Sequence, residues 1–248
     1  MTSKLANSFK NFLLLLGITA ISSGIPVSAV TLTHSEVGET FKVDWLLPGS
    51  DTGNNTGGRR ASIDLSAEAE FTIKQFYLNT DKSDRVILDV TLKNTTKLNS
   101  SEQNADINRF GFAAAGLTSD IDSFEISDRD NNGDTDVFQG AQVRSQEQKF
   151  SGKFEGINLC VFNNSDNACS NYAGEEENPV LAAGKFDNFY LDVYGDFSEG
   201  ISFSEFPINF QTDEGQFAFE GAEVPEPGMI IALGLFTASS MVLKKKSK

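Results

Sequence analysis

Apolar and polar residues alternate along long stretches of this chain, which is the pattern of β-strands with one face in a protein core. Residues 63–73 alternate without interruption over eleven positions. Residues 40–46 do the same and place Trp45, the only tryptophan, on the apolar face with Phe41 and Val43. Both stretches are therefore predicted to be half-buried strands.

Further strand candidates follow at short intervals, separated by stretches rich in Gly, Asn, Asp and Ser. They are residues 86–96, 107–115, 123–127, one or two segments within 149–162, and then 186–197 and 201–210. Residues 63–73 and 86–96 are expected to pair antiparallel across a turn at 81–84, and residues 186–197 and 201–210 are expected to form a last pair.

Phenylalanines concentrate near the end of the chain and predict an aromatic core there. They are Phe186, Phe189, Phe197, Phe203, Phe206 and Phe210. About nine short strands with turn-rich connections favour an all-β protein with a single β-sandwich or jelly-roll-like domain. No alternation of strand and helix patterns is visible, which argues against an α/β fold.

The amino-terminal segment has the pattern of a secretory signal peptide. Two lysines precede the apolar residues 12–21, and Pro26 ends that run. Val27 and Ala29 satisfy the small-residue rule for cleavage before Val30. The alternative, a transmembrane span, requires a longer apolar run.

The carboxyl-terminal segment has three consecutive parts. The first is the motif Val224, Pro225, Glu226 and Pro227, which is called the box below. Its two prolines favour an extended backbone. The uncharged residues 229–243 are then predicted to form one apolar helix, and four lysines close the chain. A helix of this length spans about 22 Å, which is short for a bilayer. A buried core helix and a lipid-anchor signal are the alternatives, but neither explains the terminal lysines, whose stems can reach a membrane surface.

This order of parts resembles the PEP-CTERM sorting signal of bacterial surface proteins. The resemblance implies that an exosortase-type enzyme cuts near residues 224–227 and delivers the body to the cell surface or the exopolysaccharide matrix. The membrane would hold the chain transiently through its apolar helix. The predicted organisation is a signal peptide at 1–29, an extracytoplasmic β-domain at 30–223 and a sorting signal at 224–248.

The predicted exported body is strongly acidic. The chain has 20 Lys and Arg against 35 Asp and Glu. Without Lys4, Lys10, the four terminal lysines and Glu226, 14 basic and 34 acidic residues remain, a net charge of −20. Nucleic acid and anionic lipid would be repelled by such a body. Neutral polysaccharide, polycations and divalent cations remain as partners, while solubility alone explains much of the charge.

Cys160 and Cys169 are the only cysteines, and both lie in the predicted exported part. An even pair in an oxidising compartment indicates a disulfide. It would close a short loop and stabilise the fold by about 2.7 kcal/mol on the loop-entropy model. A metal pair and a redox site are alternatives, but no histidine or further cysteine lies nearby.

Several segments of the body are similar to the cistern family of PEP-CTERM proteins. They are residues 40–44, the strand 88–94 that ends in Leu-Lys-Asn-Thr-Thr, residues 110–112 and the late cysteine pair. The glycine-rich run of that family is reduced here to residues 170–174. The resemblance implies export and sorting, and it assigns no chemistry.

One acidic stretch has the spacing of a calcium-binding loop. Its oxygen-bearing residues stand at positions 1, 3, 5, 7 and 9: Asp128, Asp130, Asn132, Asp134 and Asp136. Gly133 occupies position 6, where a sharp turn is needed, but Gln139 stands where a calcium loop has glutamate. The flanks read as strands, so this is no helix-loop-helix. A structural Ca²⁺ site is predicted, and an acidic turn in an acidic protein is the alternative.

The sequence offers little for catalysis. His34 is the only histidine and lies close to the predicted mature terminus, where chains are commonly disordered. A Ser-His-Asp or Cys-His arrangement would depend on it. The expectation is a non-catalytic surface or matrix protein, with a calcium-dependent carbohydrate-binding module as the alternative and a polysaccharide-acting enzyme as a distant third.

The cysteine analysis gives a first testable prediction. Labelling the exported protein in denaturant is expected to modify no thiol without reductant and two thiols after reduction, because Cys160 and Cys169 are bonded. A Cys169→Ser variant is the control and should expose one reactive thiol. Two thiols that react without reductant would contradict the pairing.

Overall fold

The chain is seen in a computed structural model that describes residues 29–53, 58–79, 83–117, 124–128, 137–143, 150, 154, 156–163 and 180–224. These residues form twelve strands and a short 3-10 helix, His34–Glu36. The strands are β1 (Val30–Leu32), β2 (Thr40–Leu47), β3 (Leu65–Tyr77), β4 (Asp84–Asn94), β5 (Ala105–Ala115), β6 (Phe124–Asp128), β7 (Phe138–Val143), β8 (Leu159–Asn163), β9 (Phe186–Gly195), β10 (Ile201–Ser204), β11 (Phe206–Thr212) and β12 (Gly215–Glu223). The all-β prediction is confirmed.

The strands belong to one antiparallel sheet. Its main path runs β1-β10-β5-β11-β12-β2-β3-β4-β9-β6, and β8 pairs with β5 and with β7. One half of the sheet consists of β1, β10, β5, β11 and β12 with β7 and β8, and the other half consists of β2, β3, β4, β9 and β6. The sheet folds back on itself, because aromatic rings from the two halves meet in the core. Phe71 on β3 lies edge-on to Phe112 on β5 with ring centroids 5.5 Å apart, and Phe189 on β9 contacts Phe138 on β7 at 5.7 Å. The fold is therefore sandwich-like.

The strongest alternation signals correspond to the strands that build the core. Strand β2 buries Phe41, Val43 and Trp45 on one face, as the pattern predicts. Strands β3 and β4 pair antiparallel, with Phe71 opposite Val90. The period-two pattern determines these positions because successive side chains of a strand point to opposite faces.

Two predictions about residues 186–210 are wrong. Strands β9 and β10 follow each other in sequence, yet β9 pairs with β4 and β6 whereas β10 pairs with β1 and β5. Phe186 is 63% exposed rather than in the core. Strand β9 turns Phe189 and Leu191 inward, so Phe186 has the opposite parity and lies on the outer face.

The predicted segment 201–210 is two strands, and two further strands were not predicted. Glu205, with φ of 49°, separates β10 from β11. A non-glycine residue in this left-handed region interrupts a strand. Strand β1 has only three residues, and β12 begins and nearly ends in glycine, so neither presents a long alternating pattern.

Trp45 lies where β12 joins the two halves of the sheet. Its indole Nε1–H donates a buried hydrogen bond of 2.6 Å to the carbonyl of Phe206. Gly221 of β12 passes over the same ring, and a Cβ there would lie 2.6 Å from Trp45 Nε1. Only glycine allows this approach. Beyond it, β12 pairs with β2, with Ala222 opposite Asp44.

Strand β1 begins at Val30 and β12 ends at Glu223. The domain limits at 30 and 223 stay a prediction. Among the residues that the structure describes, no helix is long and apolar enough to span a membrane. The predicted apolar segments 12–21 and 229–243 lie outside the described residues.

Trp45→Phe is expected to lower the free energy of unfolding by about 2–4 kcal/mol, because it leaves the Phe206 carbonyl unpaired and the ring space underfilled. Chemical denaturation measures the change. Leu46→Ala is the matched control, because Leu46 is the next residue and is 63% exposed. Its cost should stay within about 0.5 kcal/mol. Equal losses in both variants would refute a special role for the indole.

Candidate functional site

The predicted calcium-binding residues fall almost entirely outside the described residues. Asp128 is the last residue of β6, and Asp130, Asn132, Asp134 and Asp136 follow in a segment that the structure does not describe. Within the described ranges, no three His, Cys, Asp or Glu side chains cluster as a metal site requires. The calcium site stays a prediction.

The predicted disulfide is only half described. Cys160 is buried in β8, opposite Gly111 of β5, and packs in a small cluster with Phe150 and Ile157. Cys169 lies outside the described residues. The pairing of the two cysteines stays a prediction.

The predicted processing residues lie at the two ends of the described chain. Val30 opens β1 directly after Ala29 and lies opposite Phe203 of β10. Val224 follows β12, and its backbone N–H donates a 2.9 Å hydrogen bond to the carbonyl of Lys42. Pro225, Glu226 and Pro227 are outside the described residues.

His34 is held in the short 3-10 helix rather than in an irregular terminus. Its ring lies edge-on to Phe76, with centroids 6.0 Å apart. The Glu36 carboxylate accepts hydrogen bonds from the backbone N–H and the hydroxyl of Thr33 at the start of this helix. The sequence analysis expected disorder around this solvent-exposed histidine, whereas these contacts place it in regular structure.

A group of tyrosines and paired charges lies on the outer face of β3, β4 and β9. Tyr77 stands opposite Arg85, and Arg85 stands opposite Tyr194, so the three form one row across the strands. Asp192 and Tyr190 occupy the next outward positions along β9. The chain has four tyrosines, and this face holds three of them.

A β-bulge places Tyr77 on this face. The pairing of β3 with β4 shifts register between Ile73 and Gln75. Uninterrupted alternation after the buried Ile73 would turn Tyr77 inward, but the extra residue Lys74 reverses the parity. Phe76 is consequently buried and Tyr77 is 46% exposed. Bulges re-aim side chains in this way at many binding sites.

Two adjoining depressions run along the face. The first has a volume of about 540 Å³ and is lined by Tyr77, Leu78, Asn79, Ser83, Arg85 and Tyr194. The second, of about 450 Å³, extends from Arg85 past Gln75 and Asp192 to Tyr190 and reaches Ser127 of β6. Both share the Arg85 side chain. Together they form an open groove that crosses the strands and then follows β9; it is called the tyrosine groove below.

Arg85 is fixed at the centre of the tyrosine groove. Its Nη2 donates a hydrogen bond to the buried carboxylate of Asp192 and forms an ion pair with it. That bond raises the pKa of the guanidinium. The guanidinium carbon also lies 5.6 Å from the centroid of the Tyr194 ring. These two contacts hold the guanidinium in a defined orientation.

Two further polar contacts lie along the tyrosine groove. Lys74 Nζ lies 3.5 Å from Oδ2 of the buried Asp89. The Tyr77 hydroxyl donates a 2.6 Å hydrogen bond to Gln75 Oε1. With Arg85 paired to Asp192 as well, the positive and negative charges of these pairs balance. These described pairs are together neutral in a chain whose net charge is −15.

Asp84 positions the segments beside the first depression. One carboxylate oxygen accepts a 2.9 Å hydrogen bond from the backbone N–H of Asn79 before β4. The other accepts a 2.8 Å bond from the backbone N–H of Phe197 after β9. A buried carboxylate that satisfies two loop N–H groups fixes both strand ends. The groove wall is therefore rigidly attached to the sheet.

The tyrosine groove was missed at the sequence level. The alternation of Tyr190, Asp192 and Tyr194 along β9 is the signal that could have indicated an outward aromatic face. The partners Tyr77 and Arg85 come from other strands, and only the pairing register brings them together.

Several carboxyl groups outside the groove lie in surroundings that destabilise their charged form in the folded state. Burial raises the pKa of Asp44, Asp106, Glu220 and Glu223, and neighbouring carboxylates add to the effect for the first three. Hydrogen bonding to Ser62 lowers the pKa of Glu214 instead. The acidic charge of the body therefore opposes folding at several sites.

No protein family matches this chain, and neither a curated protein nor a solved structure is similar to it. The resemblance to sorted surface proteins therefore rests on the motifs in the chain itself.

Asp106→Asn is expected to raise the melting temperature at pH 7 by roughly 1–3 °C. Burial and the nearby Asp213 raise the pKa of Asp106, so the folded state binds this proton more tightly than the unfolded state. Stability from this group is therefore lost as pH rises from about 3.8 through the raised pKa.

When melting curves are recorded at a pH below the ordinary pKa of aspartate, Asp106→Asn should no longer raise the melting temperature. Glu102→Gln removes the same charge from an exposed position nearby and is the control. An equal gain from Glu102→Gln would assign the effect to net charge rather than to burial.

Proposed function

We propose that this protein is a non-catalytic protein of a bacterial cell surface or exopolysaccharide matrix, exported through residues 1–29 and sorted through residues 224–248. The observation that supports the proposal most directly is that the Val-Pro-Glu-Pro box at 224–227 is followed by the apolar residues 229–243 and then by the terminal lysines. An exosortase-type enzyme would cut at the box. The membrane would hold the chain only until then.

The geometry around Val224 supports cleavage at the box. Strand β12 ends at Glu223, and Val224 makes one further backbone hydrogen bond to Lys42. Val224 is itself 37% exposed. A cut within 225–227 would remove no strand pairing of β1 to β12, so the exported domain would keep its fold after processing.

The charge of residues 30–223 supports a role among extracellular polymers. A net charge of −20 keeps the released domain soluble and repels nucleic acid and anionic surfaces. Neutral polysaccharide carries no such penalty, and divalent cations can bridge acidic chains. The sorting signal and the net charge thus both favour a location at the cell surface or in the exopolysaccharide matrix.

The proposal includes a closed β-sandwich or jelly-roll architecture for the domain. What supports it is the continuous hydrophobic core, to which both halves of the folded-back sheet contribute.

A carbohydrate-binding module is the second candidate function. The observation that favours it is the tyrosine groove, with its exposed Tyr77, its half-buried Tyr190 and Tyr194 and the fixed guanidinium of Arg85. Whether Ca²⁺ takes part depends on Asp128, Asp130, Asn132, Asp134 and Asp136. Titration calorimetry with Ca²⁺ on the wild type and on Asp130→Ala tests that prediction separately.

The intact mass of the native protein recovered from the cell surface tests the sorting proposal. It is expected to correspond to a chain that starts at Val30, ends within the box at 224–227 and lacks the terminal lysines. A Glu226→Ala variant should accumulate with its tail in the membrane fraction. Glu199→Ala, at an exposed glutamate far from the box, is the control and should be processed normally.

The result that would overturn the sorting proposal is a surface protein whose mass still includes Lys248. Such a mass would mean that the carboxyl-terminal helix anchors the domain permanently.

A further inference from the structure

The tyrosine groove combines one exposed tyrosine ring, that of Tyr77, and the half-buried rings of Tyr190 and Tyr194 with charges that are already paired. We propose that it binds a chain of uncharged polysaccharide, with Tyr77 and Tyr194 stacking on sugar rings and Arg85 donating hydrogen bonds to hydroxyl groups between them. This inference rests on the proposed function, because it assigns a ligand to a domain placed in a polysaccharide matrix.

The aromatic part of the argument concerns exposure and spacing. Tyrosine has an apolar ring face that can stack on the apolar face of a sugar, and a hydroxyl that suits a wet interface. Tyr77 is 46% exposed, and the β3 bulge turns it outward. Tyr77 and Tyr194 are separated by one strand, so their Cα atoms lie about 9.6 Å apart, two strand spacings. That span favours an oligosaccharide over a single sugar.

The polar part of the argument concerns preorganisation. Arg85 presents donors in a fixed plane, and its ion pair with Asp192 and its contact with the Tyr194 ring hold it in place before any ligand binds. Gln75 and Lys74 line the continuation of the groove toward Tyr190. Rigid side chains lose little conformational entropy on binding, which favours affinity from a small contact area.

The charge of the ligand follows from the charge of the groove. Arg85 and Lys74 are each matched by a buried aspartate, Asp192 and Asp89. Among the described side chains that line the groove, an anionic polymer would find no unpaired cation, and it would meet the repulsion of the acidic body. A cationic polymer would find no unpaired carboxylate among these pairs. An uncharged chain with many hydroxyl groups matches the groove best.

The groove also has the shape of a chain-binding site rather than of a pocket for a small molecule. Its two depressions are open and meet at Arg85. Tyr190 lies four residues before Tyr194 on β9, which continues the outward aromatic positions by about 13 Å along the strand. A polymer can occupy such a groove at any point along its length.

Affinity electrophoresis of the full chain in a non-ionic detergent tests the proposal. Gels contain hydroxyethylcellulose or laminarin as neutral probes, alginate as an anionic probe, chitosan as a cationic probe, or no polysaccharide. Retardation is expected with at least one neutral probe. Calorimetry with the matching hexasaccharide should give an affinity that is unchanged at about 0.5 M salt, because no net charge pairing is involved.

Variants locate the binding site. Tyr77→Ala is expected to weaken the affinity roughly three- to tenfold, as for the loss of one aromatic contact. Tyr77→Phe keeps the ring and should retain most of the affinity. Phe186→Ala is the matched control, because Phe186 is a 63% exposed aromatic on the same outer face of β9 and outside both depressions. Melting curves verify that each variant is folded.

Three results would overturn the inference. They are an absence of retardation with both neutral probes, binding confined to alginate or chitosan, and equal losses from Tyr77→Ala and Phe186→Ala. None of them affects the sorting proposal, which depends on the mass and location of the native chain. Conversely, glycan binding by a chain that keeps Lys248 would support the groove while refuting the sorting step.

Discussion

The buried hydrogen bond from Trp45 to the Phe206 carbonyl is the contact on which the arrangement of the sheet depends. It ties β2 in one half to β11 in the other. The neighbouring Gly221 lets β12 cross directly over the indole and pair with β2. Without that close approach, β12 could not connect the two halves into one sheet. The groove strands β3, β4 and β9 all lie on the β2 side of this junction.

The same alternation that fills the core also builds the candidate site. In β4 and β9, packing of the inward apolar residues in the core determines where the next residue points on the outer face. Arg85, Asp192 and Tyr194 are positioned in this way. A site on paired strands needs little ordering when a ligand binds. The rigidity comes from the core, while the chemistry comes from the residues that face outward.

The carboxyl groups of the domain differ in whether a cation compensates them. Partial burial and acidic neighbours disfavour the charged forms of Asp44 and Asp106. In the groove, the buried Asp89 and Asp192 are compensated by Lys74 and Arg85. Surface ion pairs also occur outside the groove, at Lys42–Glu70 and Lys93–Glu68. What distinguishes the two pairs of the groove is that their carboxylates, Asp89 and Asp192, are buried.

The sequence by itself determined the all-β class and the inward faces of β2 and of β3 up to Ile73, because these depend on local alternation. The targeting motifs are short contiguous patterns and stay predictions. Only the tertiary structure decided which strands are neighbours, so β9 pairs with β4 rather than with β10, and Phe186 faces solvent. It also decided the candidate site. One extra residue, Lys74, reverses the parity of β3 and turns Tyr77 outward. Strand register then sets Tyr77 beside Arg85 and Tyr194, because side chains far apart in sequence meet only where hydrogen-bond pairing aligns their strands.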